Sequence, residues 1–146
     1  MRRVVAARAD VSESDADALL SSLRKLHPKL VVQLVATKRT IDAGTLEMIG
    51  EQTLRAARTG ALLAEKPEVD LLLRLAGTAQ IAVAIERVGY RSRGPKLLVA
   101  AGPPGEVLGM RKALEKDGRF EILKSEVVTK EGLAMVEEAA LLGARS

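Results

Sequence analysis

Cysteine, tryptophan and asparagine are absent from this chain of 146 residues, and tyrosine, phenylalanine and histidine occur once each. Without cysteine there are no disulfides and no thiolate metal ligands, which is compatible with a reducing compartment. One imidazole cannot build a zinc site, and His27, placed before Pro28, reads as a solvated or capping side chain. Ser12, Ser14, Ser21 and Ser22 have no second histidine to activate them, so nucleophilic catalysis lacks its parts. No apolar run approaches the roughly 20 residues needed to cross a bilayer. The basic start, Met1 to Arg8, has no sustained apolar stretch behind it, and charge returns at Arg8 and Asp10. It therefore reads as a strand rather than a signal peptide, and a cytoplasmic location is the expectation.

What is present is a globular composition, 47% hydrophobic and 29% charged. A chain of this length is one ordinary domain, expected to span 1–146, and hides roughly 70% of its unfolded surface in a single fold. The lack of asparagine, with abundant Arg, Glu, Leu and Ala, fits a thermophile or GC-rich coding. The formal charge of +4 is mildly basic and favours an anionic partner.

The hydrophobic periodicity predicts ten elements. Val4–Ala9 reads as a strand. Ser14 to Asp17 resembles a capping box, opening a helix with Ala16, Leu19, Leu20 and Leu23 that stops near His27-Pro28. Leu30–Ala36 is a second, buried strand. After a basic turn at Lys38-Arg39, a helix from about Ala43 to Thr59 should bury Leu46, Ile49, Thr53, Leu54 and Ala57. Pro67 suits the first turn of a leucine-rich helix, Glu68 to Ala76, which Gly77 breaks. Thr78 can cap the next, with Ile81, Ala84, Ile85 and Val88 on one face and Gly89 as its stop. A basic loop with Arg91, Arg93 and Lys96 precedes a strand at Leu97–Ala101. A helix with Val107, Met110 and Leu114, a strand from Phe120 to Val128, and an amphipathic helix from Lys130 to Leu142 with Leu133, Val136 and Ala140 complete the chain.

Three successive helices between the second and third strands do not make a regular alternation. The order argues against a doubly wound dinucleotide fold. It favours an α/β (α+β) architecture, a small mixed or antiparallel sheet with several helices packed mainly on one face.

The strand-to-helix turn Gly102-Pro103-Pro104-Gly105 sits where phosphates often bind. Two of its four residues lack an N–H, Glu106 follows, and the Walker lysine and hydroxyl are missing, so it reads as a rigid structural turn. The acid pairs Asp15/Asp17 and Glu137/Glu138 fall on exposed helix faces, where solubility explains them. No catalytic residue, metal ligand or cofactor motif stands out, and the chain reads as a non-enzyme.

The run Glu68-Val69-Asp70-Leu71-Leu72-Leu73-Arg74-Leu75-Ala76-Gly77-Thr78-Ala79-Gln80-Ile81, followed by Ala84-Ile85-Glu86 and Gly89, resembles a family signature. The family is the kinase-binding subunit of the KEOPS complex, the archaeal and eukaryotic relatives of the human PRPK-binding protein (TPRKB). Gly77, Gln80, Ile81, Ala84, Ile85 and Gly89 stand as in the family. Ala79 replaces a usual arginine, and Arg74 stands where tyrosine is common. The resemblance extends more loosely over the whole chain, including Thr53 to Ala56.

KEOPS installs threonylcarbamoyladenosine next to the anticodon of certain tRNAs. The resemblance implies a non-catalytic accessory subunit that binds the small kinase/ATPase of the complex and the single-stranded 3′ CCA end of tRNA, without metal, cofactor or membrane. Leu71, Leu75, Ile81 and Ile85 are the candidates for the kinase face, by helix-on-helix recognition. Arg55, Arg58, Lys66 and Arg74 are the candidates for RNA, with Arg91, Arg93 and Lys96 as a secondary basic patch. A small-molecule-sensing regulatory domain, which would show a polar-lined pocket, is the competing expectation.

Overall fold

The computed structural model describes residues 2–36, 41–90, 95–124 and 127–145. Ten elements follow one another as β1 (Val4–Ala9), α1 (Glu13–Leu26), β2 (Val31–Ala36), α2 (Ala43–Thr59), α3 (Pro67–Ala76), α4 (Ile81–Val88), β3 (Lys96–Ala101), α5 (Pro104–Lys116), β4 (Phe120–Ile122) and α6 (Lys130–Arg145). The α/β class, the element order and the three helices between β2 and β3 are as the sequence predicts. None of the helices among the described residues is long and apolar enough to cross a membrane.

The sheet is antiparallel throughout, in the order β2-β3-β1-β4. Strand β3 is paired on both sides, with Val99 opposite Ala6 on one side and Gln33 on the other. Because side chains alternate along a strand, the apolar runs of β1, β2 and β3 feed two separate cores. Val4, Ala6, Val31, Val35, Leu97 and Val99 face Leu46, Ile49, Leu71, Leu73, Ala84 and Val136. On the opposite face Val5, Ala7, Val32, Leu34 and Leu98 meet Leu19, Leu20, Leu23, Val107 and Met110. Four of the six described helices, α2, α3, α4 and α6, thus share one face, and α1 and α5 close the other.

Local signals explain most boundaries. Ser12, rather than Ser14, caps α1: its Oγ accepts from the Asp15 N–H at 3.2 Å and donates to Asp15 Oδ2 at 2.9 Å. Helix α3 opens with Pro67 and closes on Gly77 at φ 70°, with Thr78 N–H reaching back to Leu73 O. That left-handed residue is cheap only for glycine. Gly50 has a different reason. A Cβ there would lie 2.8 Å from a Val4 methyl, so its hydrogen lets α2 sit directly on β1.

Four further details depart from expectation. In α2 the buried stripe runs Leu46, Ile49, Thr53 and Ala56, with Leu54 half-buried and Ala57 exposed. In α6 Val136, Ala139 and Leu142 are buried, whereas Leu133 and Ala140 face out, a rotation of the apolar face by about one residue. Lys96 belongs to β3 and is buried rather than lying in the preceding loop. Strand β4 holds only Phe120–Ile122, extended by one backbone bond from Leu123 N–H to Ala6 O. Of the remaining expected stretch, part lies outside the described residues, as does the Lys38-Arg39 turn.

Candidate functional site

The signature helices α3 and α4 play opposite parts. Leucines at 71, 72, 73 and 75 crowd nearly every side of α3, and a helix apolar all round must be buried. Leu71 is fully enclosed and Leu75 nearly so. Neither presents a docking surface, which corrects the expectation for these two residues: their apolar groups fill the core beneath β2, α2 and α6.

Arg74 is corrected with them. It is 6% exposed and lies inside the protein. Its Nε and Nη2 donate to Asp70 Oδ1 at 2.8 Å and Oδ2 at 3.2 Å, and Nη1 donates to Ala139 O at 3.2 Å. Asp70, itself fully buried, also accepts from the Thr53 hydroxyl at 2.6 Å and the Leu63 N–H at 3.0 Å. A buried ion pair survives only when its remaining polar atoms are bonded, and here they are. Arg74 therefore knits α2, α3 and α6 together and has no fork left for a phosphate.

Helix α4 is the exposed partner. Of its eight residues Ala84 is buried, while Ile81 and Ile85, one turn apart, are 49% and 55% exposed. An i, i+4 isoleucine pair on the solvent side of an apolar helix is a small hydrophobic stripe. Its base is anchored: Arg87 Nη1 donates to Ala76 O at 3.1 Å, tying α4 to the end of α3. Gln80 is the exposed N-cap of α4, its N–H donating to Thr78 Oγ1 at 3.2 Å, so Thr78 braces the entry without being the cap. Ala79 is exposed in the same turn. Gly89 ends α4 and forms an antiparallel bridge with Val35, so the chain crosses the outer edge of β2 at this point.

That edge carries a groove of 810 Å³, bounded by α1, β2, α3 and α4. Leu34, Val69, Leu72 and Ile85 make it apolar, and Arg24, Gln33, Lys66, Glu68 and Tyr90 add polar groups. Arg24 Nε and Nη2 both donate to Val32 O, at 3.1 and 2.9 Å, covering a carbonyl of the edge strand. Burial lowers the Arg24 pKa below its ordinary value, opposed by the charge of Glu68, and the guanidinium stays protonated. Tyr90 Oη donates to Asp17 Oδ1 and holds the end of this segment on α1.

The remaining basic candidates are spread. Arg55 and Arg58 are exposed on α2, where Arg55 lines a separate groove of 530 Å³ with Glu47, Glu51 and Gln52. Lys66 is exposed at the start of α3 beside the edge groove. Lys96 is buried in β3, which removes it from a surface patch, and Arg91 and Arg93 lie outside the described residues. Arg24 escaped the sequence reading. Its only signal was a pair of basic residues, Arg24 and Lys25, in the last turn of α1, which helix-dipole compensation already explains.

No family model matches the chain, and no curated protein matches it.

Proposed function

We propose that this chain is a non-catalytic accessory subunit of the KEOPS tRNA threonylcarbamoyladenosine-modification complex, docking on the small kinase/ATPase through α4 and holding the 3′ CCA end of tRNA. The observation that carries the reading is the solvent-facing Ile81–Ile85 pair, set within the residues that resemble the family signature. An apolar stripe on a helix whose opposite side is anchored through Ala84 and Arg87 suits a helix-on-helix contact. Arg55, Arg58 and Lys66 supply exposed charge for the RNA backbone, and Ile81 with Ile85 defines the protein-facing side.

The test is co-purification with the cognate kinase, followed by its ATPase rate with and without this chain and tRNA. Recovery of a stoichiometric complex with a raised ATPase rate is expected. A kinase that neither binds nor responds overturns the assignment. Equal affinity for intact tRNA and tRNA lacking its terminal CCA overturns the tail-binding half alone.

A further inference from the structure

The groove on the β2 edge meets the proposed docking stripe only at Ile85 and has a chemistry of its own. Its 810 Å³ lies in the range of pockets that enclose small organic molecules. Its apolar lining comes from both sides of the sheet: Leu20 and Leu34 from one, Val69, Leu72 and Ile85 from the other.

The polar groups can be accounted for singly. Gln33 is occupied, since Nε2 donates to Glu68 O at 2.9 Å and Oε1 accepts from Leu34 N–H at 3.1 Å. Lys66 and Glu68, both at the start of α3, cancel in net charge. Arg24 remains. Two of its nitrogens serve Val32 O, its Nη1 hydrogens are not engaged by them, and no carboxylate among the described residues forms an ion pair with it. A half-buried guanidinium beside an apolar trough, with Nη1 donors to spare and, among the described residues, only Glu68 opposing its charge from beyond ion-pair distance, is complementary to an anion that brings its own apolar surface.

We propose that this groove is a binding site for a small amphipathic carboxylate, whose head group pairs with Arg24 and whose apolar body lies over Val69, Leu72 and Ile85. The groove shares Ile85 with the proposed kinase face and Lys66 with the proposed RNA contacts, but carboxylate binding is read with neither partner present, so each reading can fail without the other.

The protein contains its own reporter. Tyr90 is its single tyrosine, no tryptophan masks it, and it lines the groove. Octanoate, octanol and acetate are titrated into the purified chain while tyrosine emission is followed. Octanoate is expected to saturate one site and to bind about tenfold tighter than octanol, the worth of one charge-assisted hydrogen bond. Acetate is expected to leave the emission unchanged. Ile85→Glu, at an exposed position that keeps the fold, should abolish octanoate binding. Arg24→Gln, which retains a donor for Val32 O, should bring octanoate down to the level of octanol. Absence of saturation with octanoate overturns the site. Equal affinities for octanoate and octanol in the unmodified chain overturn the anionic head group, as does an unchanged octanoate preference in folded Arg24→Gln. Should Arg24→Gln fail to fold, the octanoate–octanol comparison in the unmodified chain decides the matter.

Discussion

Thr129 and Asp42, 87 residues apart in the chain, are joined by a hydrogen bond of 3.1 Å from hydroxyl to carboxylate. The same carboxylate caps α2, accepting from Thr45 N–H at 2.8 Å and from the Thr45 hydroxyl at 2.7 Å. Thr129 in turn accepts from Gly132 N–H at 3.0 Å in the first turn of α6. One side chain thereby sets the starting points of two helices, and a Cβ on Gly132 would collide with Thr45.

Asp42→Ala should cost about 1–2 kcal/mol, the value of a lost N-cap. Burial alone would raise the Asp42 pKa, but the hydrogen bonds from Thr45 and Thr129 outweigh it, and the net shift is downward. A depressed folded-state pKa means that the contribution is complete above the ordinary carboxylate range and is lost as pH falls through the folded value. Urea midpoints of the two proteins should therefore differ at neutral pH and converge below about pH 4. A gap that persists at low pH would assign the loss to packing instead.

Arg74→Met should destabilise by about 3–5 kcal/mol, because Asp70 is left charged and unpaired in the core. Removing both charges, Asp70→Leu with Arg74→Met, should recover much of that loss, which a double-mutant cycle by denaturant unfolding measures. RNA affinity per folded molecule should stay the same in every variant. A selective loss of RNA binding by folded Arg74→Met would return that guanidinium to the surface.

Ile81→Asp and Ile85→Asp should abolish kinase co-purification while shifting the thermal midpoint little, since both side chains already meet solvent. Leu71→Ala is the contrasting control. It should cost about 2–5 kcal/mol as a core truncation and weaken the complex only through unfolding. Kinase binding that survives both isoleucine changes would move the docking surface off α4.

Charge reversal at Arg55, Arg58 and Lys66 together should weaken tRNA binding at low salt. It should also lower the slope of log affinity against log salt by about 2, the share of three single-strand phosphate contacts. An unaltered slope would show that the RNA lies elsewhere.

The layout of the fold was legible because β1, β2 and β3 are apolar runs with one polar residue each, and Pro67, Gly77 and Gly89 mark the ends of α3 and α4 where the structure has them. What escaped was direction. Within Leu71 to Leu75 every side chain is apolar except Arg74, and helical spacing alone does not say which side meets water. The available clue was Asp70 four residues before Arg74: an acid and a base one turn apart inside a leucine-rich helix can pair within the core. The edge groove was illegible for another reason. Arg24, Lys66 and Tyr90 come from three distant segments and meet only because the chain crosses β2 at Gly89.

Strand β1 lies between β3 and β4, both of which come near 90 residues or more later in the chain. During synthesis the first strand therefore leaves the ribosome with no ladder to join, and β2 emerges in the same position. Until β3 appears, nothing links them, and the apolar edges of both remain open to foreign strands. Assembly of the sheet is a late event dominated by distant pairings, so refolding should be slow for a protein of this size, and nascent chains halted before β3 should depend on chaperones.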